Sequence, residues 1–311
     1  MMQHNLTLEQ LSLSASCVTI GAFDGIHLGH RKVIQSLVEQ AKSRQLPSVV
    51  VTFYPHPALV LGKISHPEYL LDEQEKAELI AALGVDILIT LPFTPELSQT
   101  GADDFVQRLV NHLHLQLLIT GDDFTLGKNR EGNRGVLENL GLQYGFELIH
   151  IPELDEEGKR ISSTYIRQLI KQGELQKANH LLGRTFQFSG TVEDGDHRGR
   201  KIGFPTANLI PNPERLLPKF GVYATWLRWN QQLFPAITNV GVRPTYYKDG
   251  MQVTIETFIL DFEDTLYGQP ITLYFMDFIR PEQKFDSSEA LHRQIESDIL
   301  TAREVLAHAR P

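Results

Sequence analysis

Residues 21–30, "GAFDGIHLGH", place His27 and His30 three positions apart, directly after the apolar run "CVTI" and where a helical pattern begins. A glycine-rich turn between a strand and a helix is a phosphate site, because free backbone N–H groups and the helix dipole meet an anion there. Gly21, Gly25 and Gly29 permit tight dihedrals and close backbone approach to a ligand, with Phe23 and Asp24 leading into the turn. Residues three apart at a helix start share a face. The two imidazoles can therefore hydrogen-bond the α-phosphate of a nucleotide as charge builds in an in-line displacement. The same residues also fit a plain capped helix start with two surface histidines. A zinc site is not suggested, since the chain has a single cysteine, Cys17, and no CxxC partner.

Three further stretches could handle anions or protons. In "SSTYIR" Ser162, Ser163 and Thr164 suit a helix N-terminus, and Arg167, one turn after Thr164, brings a guanidinium fork to the same phosphate. An ordinary capped helix fits as well. In "RGRKIGFPTANL" the loop glycines Gly199 and Gly203 offer backbone N–H groups to a phosphate chain. Thr206 and Asn208, two apart on a strand, present a hydroxyl and an amide oxygen on one face, hard ligands for a Mg²⁺ that bridges phosphates. A proline-marked edge strand is the bland alternative. No Walker A pattern occurs. In "VTIETFILDF" Glu256 is a lone carboxylate in an apolar strand run, costly unless it faces a ligand or solvent. A proton acceptor of that kind is what phosphorylation of an alcohol requires.

Taken together and in order, these motifs resemble the prokaryotic bifunctional riboflavin kinase/FAD synthetases. "GAFDGIHLGH" is similar to the signature of their adenylyltransferase module. The likeness continues through "TFYPHP", "GVDILITLPFT", "TGDDFTLGKNREGN", "ISSTYIRQLI" and "LLGRTFQFSGTV". The resemblance implies that Ser163, Thr164 and Arg167 hold the ATP triphosphate. It places Asp123 in the flavin and nucleotide pocket, beside the basic turn of Gly127, Lys128 and Arg130. It makes "PTAN" the kinase metal motif and Glu256 its catalytic glutamate. It assigns Asn239 and Arg243 of "NVGVRPT", treated as a loop, and Arg303 of "TAREVL" to flavin contacts. Phe258 departs from the family's usual His, and Thr265 from its usual Asp. For His56 in "PHP" a substrate contact and a merely stiffened loop stand level. ATP with Mg²⁺, riboflavin and FMN are the implied cofactor and substrates.

The elements that would position these groups change character along the chain. "CVTIG", "SVVVTF", "ILITLPF", "LQLLITG" and "FELIHIP" are buried strands alternating with helical patterns, which predicts an α/β domain with a doubly wound parallel sheet. After Arg184, short aromatic and β-branched runs follow closely, predicting a small antiparallel β-barrel and then a C-terminal helix. The expected domains are therefore 1–184, the adenylyltransferase, and 185–311, the riboflavin kinase. A net charge of −9 argues against nucleic acid and anionic membranes. One cysteine and no apparent leader point to a cytoplasmic protein, with homo-oligomerisation left open. Two rivals are another His-x-Gly-His nucleotidyltransferase, and a non-catalytic nucleic-acid-binding barrel.

Overall fold

The computed structural model describes residues 2–194, 203–244 and 251–311. The chain divides into two compact units, Met1–Ser163 and Thr164–Pro311.

In the first unit the apolar runs form strands β2 (Ser16–Ile20), β3 (Ser48–Tyr54), β4 (Ile87–Pro92), β5 (Leu115–Gly121) and β6 (Glu147–Ile151). With β1 (Gln3–Leu6) they make one parallel sheet in the order β1-β4-β3-β2-β5-β6. Alternate side chains of each strand feed two cores. Val18, Ile20, Val49 and Val51 face one, together with Phe105, Leu109, Leu137 and Leu140 of helices α5 (Ala102–Leu113) and α6 (Arg134–Tyr144). Cys17, Val50, Leu117 and Ile119 face the other, with Ile34, Leu37, Val38 and Ala41 of α1 (Leu28–Arg44) and Ile80 of α3 (Glu73–Ala82). Each such aliphatic side chain contributes roughly 1.5–3 kcal/mol on burial. Short helices α2 (Pro57–Val60) and α4 (Pro95–Ser98) lie in the connections. A two-strand ribbon, β7 (Asp155–Glu156) with β8 (Lys159–Arg160), completes the unit.

Strand order decides where a ligand goes. The chain runs outward from β2 to β3 and β4, then returns to add β5 on the other side of β2. The carboxyl ends of β2 and β5 thus flank the switch point, where open α/β sheets bind ligands. "GAFDGIHLGH" leaves β2 and "GDDF" leaves β5, so both segments stand at that crevice.

The second unit opens with α7 (Ser163–Gln172) from its second residue and α8 (Leu175–Leu182), then an antiparallel sheet in the order β10-β13-β12-β11-β14-β9. Its strands are β9 (Phe186–Thr191), β10 (Thr206–Leu209), β11 (Gly221–Trp229), β12 (Gln232–Pro244), β13 (Met251–Ile259) and β14 (Pro270–Arg280). The two edges are joined beyond β9, where the Glu193 N–H donates to the Asn208 carbonyl at 2.9 Å. The barrel interior holds a chain of three fully buried hydroxyls, Thr225 to Thr238 at 2.8 Å and Thr238 to Thr257 at 2.9 Å. Thr225 also donates to the Ala236 carbonyl at 3.3 Å.

The C-terminal helix, Ser288–His308, packs Ala302 and Leu306 against Trp226, Ile237 and Met276. The expected segment after Arg184 is thus barrel and helix. The structure groups Thr164–Arg184 with that unit too: Asn179 donates to the Phe275 carbonyl at 3.0 Å and accepts from the Phe186 N–H at 2.7 Å. "NVGVRPT" differs from its expected loop form, because Asn239–Pro244 continue β12 and pair with β13. Among the described residues no helix is long and apolar enough to cross a membrane.

Candidate active site

The turn after β2 is shaped by backbone dihedrals that most side chains avoid. Gly25 has φ 90°, and a Cβ there would lie 2.6 Å from Leu70 Cδ1. Phe23 takes φ 47°, a strain that typically persists only where the surroundings enforce it. Asp24, 2% exposed, supplies that enforcement by accepting from the Leu70 N–H at 3.0 Å. His27 caps α1, its Nδ1 accepting from the His30 N–H at 3.3 Å. The two imidazoles stack with centroids 3.6 Å apart, and Phe23 meets His30 edge-on. Gly29 leaves room for this stack, since a Cβ would sit 3.2 Å from the His27 ring.

His30 Nδ1 is buried and has no hydrogen-bond partner among the described residues. Burial of the ring, then His27, Lys76 and Arg160, hold the His30 pKa well below its ordinary 6.5. His30 is therefore held as a neutral imidazole, stacked in advance on His27.

Ser163 joins this turn, its hydroxyl donating to the Asp24 carbonyl at 2.8 Å. Thr164 and Arg167 follow in the first turn of α7, the opening residues of the second unit. Asp123, after β5, is ion-paired with Arg160, which also holds Glu153 at 2.8 Å. Gly127 has φ 76° and packs against the Ala102 backbone. Lys128–Arg130 form a short 3-10 turn, with Arg130 Nε on Thr125 Oγ1 at 2.9 Å. His56 caps α2, accepting from the Ala58 N–H at 3.1 Å while its own N–H donates to the Tyr69 hydroxyl.

The second constellation is built by sheet register. Asn208 of β10 and Asn239 of β12 both face Glu256 of β13 as direct cross-strand partners, forming one polar row. Thr206 and Ile237 flank Phe258 in the next row on the same face. This face lines a cleft of about 370 Å³ that takes in Thr206, Asn239 and Glu256. Phe204, Phe258, Phe285, Val222 and Ile237 supply apolar walls, with Phe204 edge-on to Phe258 at 5.2 Å. Asn208 lies outside the lining, and its amide donates to the Thr206 carbonyl at 3.3 Å.

The rim is closed by groups the sequence reading passed over. Arg280 makes a two-pronged ion pair with Asp298 of the C-terminal helix, Nε to Oδ1 2.9 Å and Nη2 to Oδ2 2.7 Å. Asp298 is 2% exposed and sits on the helix stripe of Ile295, Ala302 and Leu306, so a charge on an apolar stripe was the available signal. Glu282 accepts from Asn239 Nδ2 at 3.0 Å. Arg303, in contrast, is bound to Asp261 at 2.8 Å and does not line the cleft. Gly203 is exposed with φ 85°, while Gly199 and the Arg243 side chain lie outside the described residues. Thr265 lines a smaller neighbouring cavity of about 60 Å³ that shares Thr206.

Comparison with known proteins assigns each constellation to a family region. Residues 9–165 match the FAD synthetase family and residues 182–306 the riboflavin kinase family. The chain belongs to the bifunctional riboflavin kinase/FMN adenylyltransferase family. A relative of that name from Listeria monocytogenes is 38% identical, over 96% of this chain and 94% of that protein. Another from Escherichia coli K12 is 38% identical over 99% of this chain and 97% of that protein. A crystal structure titled as a macrolide-efflux protein from Streptococcus pneumoniae superposes with a TM-score of 0.88 at 31% identity, covering 97% of this chain and 98% of that one.

Proposed function

We propose that this chain carries out two successive transfers from ATP. Residues 185–311 phosphorylate riboflavin to FMN, and residues 1–184 adenylylate FMN to FAD with release of pyrophosphate. The observation that supports this reading best is the split of chemistry between the two family regions. The stacked His27–His30 pair belongs to the first and the Glu256 row to the second.

In the adenylylation, a phosphate oxygen of FMN attacks the α-phosphate of ATP and pyrophosphate departs. His27 and His30 steady the charge that develops on the α-phosphate, helped by backbone N–H groups at the start of α1. Gly21, Gly25 and Gly29 let the phosphates approach, with Phe23 beneath the imidazoles. Ser163, Thr164 and Arg167 hold the remaining phosphates, and Asp123 contacts the flavin.

In the kinase step, Glu256 accepts the proton of the riboflavin terminal hydroxyl as that oxygen attacks the γ-phosphate of ATP, the β–γ bond breaks and ADP departs. The aromatic walls of the cleft suit a flat ring system, with Asn239 and Arg243, and Arg303 if its pair with Asp261 opens, as flavin contacts. Gly199 and Gly203 line the phosphate chain.

No cluster of three or more His, Cys, Asp or Glu side chains that could cage a metal occurs among the described residues. The Thr206 hydroxyl and the Asn208 amide oxygen are hard donors that would hold a Mg²⁺ arriving on the nucleotide, with phosphate oxygens completing its shell. Bound there, Mg²⁺ would neutralise charge on the transferred phosphate. The cytoplasm is the proposed location.

Incubating the purified chain with riboflavin and Mg-ATP alone tests the proposal: chromatography should show FMN and then FAD. Absence of both would overturn it. FMN without FAD would leave the first region to another acceptor phosphate.

A further inference from the structure

The contact between Asn239 and Glu282 carries an inference beyond the roles above, and it rests on the kinase reading of the cleft. Glu282 follows β14, in the connection to the C-terminal helix, and its side chain reaches back across the sheet to β12. It finds space there because residue 241 is glycine. A Cβ at Gly241 would overlap the Glu282 carboxylate, with Cδ only 2.5 Å away. Gly241 shares the cleft face with Asn239, two residues earlier on the same strand.

An asparagine amide is nearly symmetric in shape, so its N–H₂ and carbonyl ends exchange places unless a partner discriminates between them. A carboxylate only accepts. Glu282 therefore binds Nδ2 and leaves the carbonyl oxygen presented away from itself. Asn239 is at the same time the direct cross-strand neighbour of Glu256. We propose that Glu282 is a positioning residue of the cleft: seated over Gly241, it fixes the orientation of the Asn239 amide beside Glu256. The fixed carbonyl then receives a hydroxyl donor of a polyol substrate, and a reversed amide would repel it.

The pair lies on exposed surface, so it contributes little to folding and its worth should be read in substrate handling. Gly241→Ala evicts the carboxylate without straining the backbone, because Gly241 has no left-handed φ and the displaced atoms end a flexible side chain. Glu282→Ala removes the carboxylate itself.

The test compares these variants and their double in the full chain. Riboflavin affinity is measured by quenching of flavin fluorescence, phosphorylation by kcat/KM, and adenylylation of supplied FMN serves as the folding control. Each single variant should lower riboflavin affinity and kcat/KM roughly tenfold, with the KM for Mg-ATP and the adenylylation unchanged. The double variant should be no worse than either single one, since both remove one contact. Glu282→Gln, whose amide donates as well as accepts and so no longer discriminates, should lose riboflavin affinity much as Glu282→Ala does, and native affinity in it would also overturn the proposal. Multiplying losses in the double variant, or Gly241→Ala with native riboflavin affinity, would overturn the proposal. Binding needs no base, so a failure of the Glu256 assignment would appear in turnover alone and stay distinguishable.

Discussion

The histidine turn and the barrel cleft, the two sites proposed for phosphates and flavin, are opposite constructions. The turn is local: ten consecutive residues carry both imidazoles, the three glycines and the capping contact. Its groups stand at the end of one strand and the start of one helix, so a short stretch of chain fixes their mutual geometry. The cleft is assembled across a sheet. Asn208, Glu256 and Asn239 come from three strands and meet only because β10, β13 and β12 pair in one register. A one-residue slip would turn Glu256 away from the cleft altogether. A local site tolerates change elsewhere in its unit, whereas a register-built site depends on every strand that sets the register.

The largest expected effect tests the cleft. Glu256→Gln keeps size and hydrogen bonding but removes basicity, so riboflavin phosphorylation should fall by roughly 10² to 10⁴. Adenylylation of supplied FMN should be untouched. A variant making FMN at near-native rate would leave Glu256 outside the chemistry.

Next comes the turn. His27→Ala or His30→Ala should each lower kcat for FAD formation by roughly 10², the scale of losing one preorganised donor, while FMN formation continues. Equal loss of both activities would mean that the turn is structural and not local in its effect.

A third test concerns where the two constructions part. Residues 1–184 alone should adenylate FMN, and 185–311 alone should phosphorylate riboflavin. The contacts of α8 sharpen this: Leu175, Ala178, Leu181 and Leu182 are fully buried, and Asn179 spans β14 and β9. A fragment 164–311 should therefore be more stable than 185–311 by roughly 3 kcal/mol or more in denaturant unfolding. Equal stability would show that the helix pair adds nothing to the barrel.

The smallest effect is a pH dependence of stability. His30 stays neutral when folded because its pKa lies well below 6.5, whereas the unfolded chain takes up a proton near that value. Lowering the pH from about 7.5 to 5.5 therefore protonates the unfolded state preferentially and destabilises the fold. In thermal melts His30→Gln should lose less stability over that range than the native chain. Parallel curves would show that His30 titrates normally.

Much of this was legible in sequence for physical reasons that also mark its limits. Strands β2 to β6 are continuous apolar runs because both faces are covered, and such runs announce themselves. Strand β1, "QHNL", carries little apolar content and pairs only at the sheet edge, so nothing in it predicts a strand. Pro244 and the glycine at 241 made the end of β12 resemble a loop, although its pairing with β13 runs through to Pro244.

Helices α7 and α8 are legible as helical stretches, but a helical period shows only that a face is buried. It does not say that α8 buries against β14 and β9. The histidines, Ser163, Thr206 and Glu256 could be found from residue type and spacing. Arg280 and Glu282 could not, because their partners lie 18 and 43 residues away and are set by tertiary packing, and Asp298 shows in sequence only as a charge on an apolar stripe, without its partner.

The threonine chain inside the barrel has a direction. Thr225 donates to a carbonyl, so Thr238 must donate to Thr225 and Thr257 to Thr238. Each hydroxyl thus has a distinct place in a sequence of dependence. Valine at 257 would remove only the first donor, whereas valine at 225 would strand the Thr238 hydrogen and force the rest of the chain to reverse or go unsatisfied. The three positions are therefore constrained unequally, and a lineage drifting toward an apolar interior would have to begin at Thr257 and finish at Thr225.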